Sequence, residues 1–418
     1  MKSDKLIAVH NGALGDFLCA WPALLALARG ADTLDMKPGG AGTEHAAAQG
    51  CAPRLLFTGN MERMRWLAPL GYVPCPPAMR RALDGLYGGT DGGRNNEGGA
   101  TRGGTDWPDA LAGATVAWFC LDRAPVAAHP RVVPLPCLTA GPDMPDMPDM
   151  SDMPDMPDEG DADADGRTSE PAMPTCHVTE SLRTRLQRIP PSALPCPPRW
   201  DADWQDTWQT LFGGWEGADS RTVVLVPGAG HRSKQWPPRR FALVAGALFR
   251  AGYNPLYVLG PAELERGLER ADLMPEGQPE AEEIPVVTPA DHDALAHLLR
   301  RARLVIGNDS GPLHLAALHG VPVLSLFGPA PAGVWRPHGA AALVSPLECA
   351  PCSATLRTLG CDRGQGNASP HGEKSRNGTA DSDGAFPCMA AITVQEVLDK
   401  SMELLGIPFQ QEKWTQRP

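Results

Sequence analysis

The 418-residue chain predicts an α/β protein with a parallel, Rossmann-like sheet in its second half and the length for two domains. Three observations carry that expectation. Arg303 to Gly328, RLVIGNDSGPLHLAALHGVPVLSLFG, reads as strand, Gly-bounded turn, helix and second strand, which is a βαβ unit. Strands alternate with helices roughly every 25 residues from Trp200 onward, the rhythm of a parallel sheet. The N-terminus repeats the pattern of strand, Gly-rich turn and helix, and the length favours two domains over one core.

In chain order, Leu6 to Val9 is the first expected strand. His10 to Asp16 (HNGALGD) forms a turn, and Phe17 to Arg29 a helix with Leu18, Trp21, Leu24, Leu25 and Leu27. Arg54 to Thr58 and Val116 to Cys120 read as strands, and Glu62 to Leu70 as a helix. Otherwise residues 39–199 are poorly patterned. Arg221 to Val226 is a strand, and Pro237 and Pro238 open a helix reaching Arg250, stopped by Gly252. Leu256 to Leu259 and Pro285 to Thr288 follow as strands, and Asp291 to Arg301 as a helix. In the βαβ unit, Pro312 sits just inside the helix and Gly320 just past it. The expected division is 1–199, with a disordered insert at about 139–175; then 200–394, with a polar insert at 363–386; then a C-terminal helix and tail over 395–418.

Composition narrows the function. The formal charge is −12, but ten acids crowd between Pro142 and Gly166 with no base. The rest of the chain is near neutral, so no nucleic-acid surface is expected. The Pro-Asp-Met repeat there repels itself and buries too little to order. No apolar run has the length of a membrane span. Asn11, Gly12 and Asp16 interrupt the one apolar stretch that could have been a signal peptide. A cytoplasmic protein is expected, and the sequons at Asn367 and Asn377 are then chance.

The turn Gly307 to Gly311 suits a phosphate. A helix start offers unpaired N–H groups and the positive end of a dipole. Gly311 permits close approach and Ser310 adds a hydroxyl, so a diphosphate could be held without a metal. Equally, Asp309 or Ser310 could be only an N-cap. Three loops should meet at the carboxyl edge of the second sheet: 227–236 with Arg232 and Lys234, 260–265 with Glu263, and 307–311. Cation to phosphate, carboxylate to ribose hydroxyls and helix N-terminus to the other phosphate would make a nucleotide diphosphate site. Asp16, at the carboxyl end of the first strand, is either a helix-start acid or a general base facing a cleft.

The motifs GALGDFLCAWPAL (Gly12 to Leu24), VPGAG…KQWPPRRF (Val226 to Phe241), LGPAE (Leu259 to Glu263) and GNDSGPLHLAALHGVPVLSLFGP (Gly307 to Pro329) together resemble the family nine glycosyltransferases, the ADP-heptose:lipopolysaccharide heptosyltransferases. The resemblance covers the first 30 residues and most of 220–400. It implies the GT-B architecture of two facing Rossmann-like domains, the C-terminal one holding the sugar nucleotide. It also implies an inverting transfer of heptose from ADP-heptose to a lipopolysaccharide inner-core or related glycan. By the same resemblance Asp16 is the catalytic base and Lys234 steadies the departing ADP. Ser310, Gly311, Pro312 and His314 form the diphosphate turn, and Asp309 orients the sugar or the turn. Glu263, with Glu265 as alternative, meets the ribose. His314 has a second reading as a packed helix residue. His10 and Asn11 stand where relatives often carry a basic or apolar residue.

No cofactor is required by this scheme. The partners would be the nucleotide sugar and a lipid-linked saccharide, with peripheral contact at the inner membrane face. The alternatives are a transferase with another nucleotide sugar or a protein acceptor, and a nucleotide-binding protein without turnover. Eleven Cys in a cytoplasmic chain should be mostly reduced. Cys349, Cys352, Cys361 and Cys388 form C-x2-C-x8-C and a distant fourth. A structural zinc on four thiolates is one reading and reduced or redox-active thiols the other.

Overall fold

Apolar runs such as Leu6–Val9 and Leu304–Ile306 offer no polar face, which suits strands covered on both sides. The computed structural model uses them so. It describes residues 3–31, 53–86, 107–120, 129–136, 176–273, 283–351 and 386–407. The Pro-Asp-Met repeat, the Gly-rich tract 88–104, both sequons and the tail from 408 lie outside the described residues, as do most of the 363–386 insert and all of 139–175.

The first half contains β1 (Lys5–His10), α1 (Leu14–Gly30), β2 (Arg54–Gly59), α2 (Met64–Leu67), β3 (Val73–Pro74), α3 (Pro77–Asp84), β4 (Ala114–Cys120), β5 (Val132–Pro136) and α4 (Val178–Arg188). After α5 (Trp204–Phe212) come β6 (Thr222–Val226), α6 (Pro238–Arg250), β7 (Asn254–Val258), α7 (Pro261–Glu265), β8 (Val286–Val287) and α8 (His292–Arg300). Next are β9 (Leu304–Asn308), α9 (Gly311–Leu318), β10 (Val323–Phe327), α10 (Ala332–Trp335), β11 (Ala341–Val344), α11 (Pro387–Ala390) and α12 (Val394–Leu405). Two parallel sheets result, ordered β3-β2-β1-β4-β5 and β11-β10-β9-β6-β7-β8. Each strand order reverses beside a central strand, β1 in one sheet and β6 in the other. Such reversals open a crevice at the carboxyl edge.

The period-two alternation of strands sorts side chains into three cores. Leu6 and Ala8 of β1, with Val224 and Val226 of β6, join one large core between the two sheets. Ile7 and Val9 face a smaller core behind the first sheet, together with Met79 and Leu83 of α3. Val223 and Leu225 face a third core with Phe241 of α6 and Met402 of α12. The shared core explains α1, whose residues Phe17–Ala28 are all buried. A helix apolar all round must be enclosed, and α1 lies between its own sheet, α4 and α9.

Two expectations change in detail. Glu62 to Leu70 is not one helix. Met61–Arg63 and Ala68–Leu70 are 3-10 turns flanking the single turn of α2. Pro69 in the last of these cannot donate to a continuing ladder. The poorly patterned region also contains β3, α3, β5 and α4, elements whose short or charged sequences carry little periodicity.

Helix α5 spans the junction. Trp208 is fully buried there, edge-on to Trp21 of α1 at 5.0 Å and 4.7 Å from Phe212. It also meets Trp66 at 5.7 Å and His319, just past α9, at 5.7 Å. Replacing it removes packing from both halves at once. Trp208→Ala should cost ~3–5 kcal/mol, read as a lower guanidinium midpoint with both halves unfolding earlier.

Candidate active site

The site forms where the N-termini of α1 and α9 abut. Close approach depends on two glycines. A Cβ on Gly311 would lie 2.7 Å from Leu14 Cβ, and one on Gly15 would press on His314 Cδ2 at 3.3 Å. The turn after β1 and the turn after β9 therefore face each other across the two sheets.

Asp16 occupies the first turn of α1, where its Oδ2 accepts the Ala13 backbone N–H at 3.0 Å. Burial raises its pKa above the ordinary 3.8, the more so for the nearby Asp309 charge, against the Ala13 hydrogen bond and the charges of Lys234 and His314. A carboxylate with increased proton affinity is the better general base. The opposite wall is drawn from three loops of the second sheet. Lys234 Nζ is 2.7 Å from Asp309 Oδ2. His314 on α9 places Nε2 3.8 Å from Asp309 Oδ1 and Nδ1 3.5 Å from Cys19 Sγ of α1. Burial would raise the pKa of Asp309, but the facing His314 and Lys234, the latter hydrogen-bonded to Oδ2 at 2.7 Å, hold it below the ordinary value.

Ser310 is the N-cap position of α9, yet its hydroxyl makes no capping bond. The Ser310 Oγ is buried and has no hydrogen-bond partner among the described residues. A buried hydroxyl at a helix N-terminus is an available donor for an anion. Pro312 stands in the first turn, where its missing N–H breaks no ladder bond. Glu263 lies in the first turn of α7, its Oε2 accepting Gly260 N–H at 2.9 Å. Its side chain also fills the space where Gly228 would carry a Cβ. Glu265 is exposed. The structure thus gathers Asp16, Lys234, Asp309, Ser310, Gly311 and His314 around one junction, with Glu263 along the same carboxyl edge.

Several residues of this region escaped sequence reasoning. Asn308 is fully buried. Its Oδ1 accepts Trp236 N–H at 3.0 Å and its Nδ2 donates to Pro227 O at 2.7 Å, binding the 227–236 loop to the end of β9. Arg266 holds the same loop through Ala229 O at 2.7 Å and Gly230 O at 2.9 Å. Arg63 lies buried with its guanidinium 5.5 Å over the Phe17 ring and its Nη1 3.4 Å from His292 Nε2. His10, already singled out in the sequence beside Asn11, is buried at the end of β1, where burial and the Arg63 charge lower its pKa to about 4. The only signal for Arg63 was a base among Met61, Met64 and Trp66. For Asn308 it was adjacency to the motif.

On the first sheet's carboxyl edge a cavity of ≈ 390 Å³ is lined by Asn11, Thr58, Arg80, Asp84 and Trp118, among others. Of the candidate zinc ligands, Cys352 and Cys361 lie outside the described residues. Cys349 is half-buried, and Cys388 is buried beside Gly328 at the end of β10. Among the described residues no three His, Cys, Asp or Glu come together so as to hold a metal ion.

Two parallel α/β sheets facing each other over a site shared between them define the GT-B class. The family 9 glycosyltransferase of Veillonella parvula has this fold; its structure aligns with 97% of this chain and 98% of its own at a TM-score of 0.50 and 15% identity. Residues 199–361 match the model of glycosyltransferase family 9 (heptosyltransferase). Lipopolysaccharide heptosyltransferase 3 of Escherichia coli K12 is 33% identical over 143 residues, 32% of this chain and 39% of that protein. Lipopolysaccharide heptosyltransferase 1 of Pseudomonas aeruginosa is 33% identical over 132 residues, 31% of this chain and 36% of that protein. The chain's match therefore spans well under half the length of these curated relatives.

The Asn308 bridge gives a direct test. Asn308→Ala leaves the buried Trp236 N–H and Pro227 carbonyl without partners, at ~1–3 kcal/mol for each orphaned group. Chemical denaturation should show that loss, with amide exchange in 227–236 rising before the rest of the second sheet.

Proposed function

We propose that the protein is an inverting, metal-independent glycosyltransferase that moves a heptose from ADP-heptose to a lipopolysaccharide inner-core or related glycan acceptor. The observation that carries this reading is the apposition of Asp16 with Lys234 and the Ser310–Gly311 turn across the junction. A base from one sheet meets cations and an anion-binding helix start from the other.

In this mechanism Asp16 takes the acceptor hydroxyl proton as that oxygen attacks the anomeric carbon from the face opposite the diphosphate. The bond to the diphosphate oxygen breaks, and negative charge grows on ADP. Lys234, the Ser310 hydroxyl and the α9 N-terminus stabilise that charge where it develops. One base suffices, because single displacement forms no covalent enzyme intermediate. Lys234 moves its hydrogen bond from Asp309 towards the diphosphate, while His314 remains with Asp309. Glu263 meets the ribose. The acceptor sugar occupies the cavity lined by Asn11, Arg80 and Trp118, beside the strand that delivers Asp16. No helix among the described residues is long and apolar enough to cross a membrane, so a lipid-linked acceptor would be met at the membrane face.

Calorimetric titration with ADP, UDP and GDP tests the donor. ADP should bind selectively and Lys234→Ala should weaken it; preference for UDP or GDP would retain the fold and change the donor. Asp16→Asn should abolish transfer and leave ADP affinity unchanged, and persistence of transfer would remove Asp16 as the base. The pH dependence follows from its raised pKa. The active form is the carboxylate, so kcat/KM should fall as pH drops through a value above 3.8, an acid limb higher than an exposed aspartate would give.

A further inference from the structure

Asp309 sits at the mouth of the proposed diphosphate turn, where a second negative charge would oppose the ligand. Two groups offset it, Lys234 at Oδ2 (2.7 Å) and His314 at Oδ1 (3.8 Å). What His314 offers Asp309 depends on its other nitrogen. That nitrogen, Nδ1, faces Cys19 Sγ at 3.5 Å. Cys19 comes from α1, one helical turn beyond Asp16, and so from the opposite half of the molecule. Cys19, His314 and Asp309 are 5%, 6% and 7% exposed, so water is a poor substitute for any of these partners.

We propose that Cys19 is a positioning residue for the transfer reaction: by occupying His314 Nδ1 from across the junction, it keeps Nε2–H aimed at Asp309 and leaves Lys234 free to follow the diphosphate. This rests on the transferase reading above. A thiol donates to Nδ1 and obliges a neutral ring to carry its proton on Nε2. A thiolate accepts from Nδ1 of a ring protonated at both nitrogens. In either state Nε2–H meets the carboxylate. Remove the sulfur and a buried Nδ1 loses its partner. The proton can then settle on Nδ1, and a bare Nε2 lone pair would face Asp309. The carboxylate would then hold Lys234 more tightly, because one of its two partners has gone.

The groups facing His314 pull in both directions, and those that favour its charged form win. Burial alone would lower its pKa, but the Cys19 charge first, then the facing Asp309 carboxylate and the Cys19 hydrogen bond, push it up to about 10. Asp16 of α1 lies close enough for His314 to act on its charge, as does Lys234 from the 227–236 loop for Asp309. His177, before α4, is the remaining neighbour: burial lowers its pKa first, and the His314 charge adds to that. A ring proton held above the ordinary 6.5 is present at neutral pH and lost as pH rises through about 10. With Cys19 as the thiolate that supports this charge, its removal should move that loss to lower pH, because of the raising groups only Asp309 then remains against burial.

The experiment compares full-length wild type, Cys19→Ala and Cys19→Ser. Two readouts are taken: kcat and KM for ADP-heptose from pH 6 to about 10.5, covering the range set by the shifted imidazole, and titration of 15N-labelled His314 by NMR. Cys19→Ala should lower kcat by roughly ten- to a hundredfold, the worth of one hydrogen bond to a charged group. KM should change little, and the alkaline limb and the His314 titration should both move to lower pH. Cys19→Ser, whose hydroxyl can donate or accept, should recover part of kcat and of the shift. Unchanged kcat and unchanged His314 titration in Cys19→Ala overturn the proposal. So does a loss of kcat equal in Ala and Ser at every pH, since that is packing alone. If wild type binds no nucleotide, the transferase reading fails and the role in transfer with it; the NMR titration still decides whether Cys19 governs His314.

Discussion

The contact between α1 and α9 is the constraint on which the rest of the structure depends. Each helix starts at the carboxyl edge of its own sheet, and their N-termini meet through Gly15 and Gly311. Because α1 is buried all round, it serves both halves, closing one sheet and lying against the other's first functional helix. Asp16 thereby faces Lys234, Asp309 and Ser310 without any long loop to carry it. If Asp16 is the base and the Ser310 turn holds the leaving diphosphate, as proposed, this registration matters, since displacement at a carbon tolerates little misplacement of the attacking atom.

Charge in the junction is balanced around Asp309. Asp309 carries the charge of Lys234 on one oxygen and faces His314 on the other. The same arrangement raises the proton affinity of Asp16, because burial outweighs the cations near it. The supporting parts are neutral and buried: Asn308 and Arg266 hold the 227–236 loop in place so that Lys234 reaches the turn.

Much of this was legible in the residues. The strand, turn and helix at Leu304–Leu318 were readable from an apolar run, a Gly-bounded turn and Pro312 just inside the helix, and the structure places them within a residue or two. Lys234 and Asp309 were readable as site candidates because each sits on a loop after a strand. The interruption of Glu62–Leu70 was not read, although Pro69 signals it. Elements β3, β5 and α4 were missed, since two- and five-residue strands have too little length to show alternation. Nor did α4, with its charged VTESLRTRLQR, show a clear apolar stripe.

By itself the sequence determined an α/β plan with a parallel sheet in the second half and the carboxyl-edge position of Lys234, Glu263 and the 307–311 turn, because periodicity, Gly and Pro act locally along the chain. Only the tertiary structure decided which partners those residues take. Cys19 and His314 are separated by 295 positions, and nothing in either neighbourhood encodes the other. Arg63 over Phe17 and Asn308 under the 227–236 loop are likewise products of packing. A buried polar group must find its partner wherever the fold brings one within reach, and that distance is set by how the helices enclose each other rather than by the order of residues.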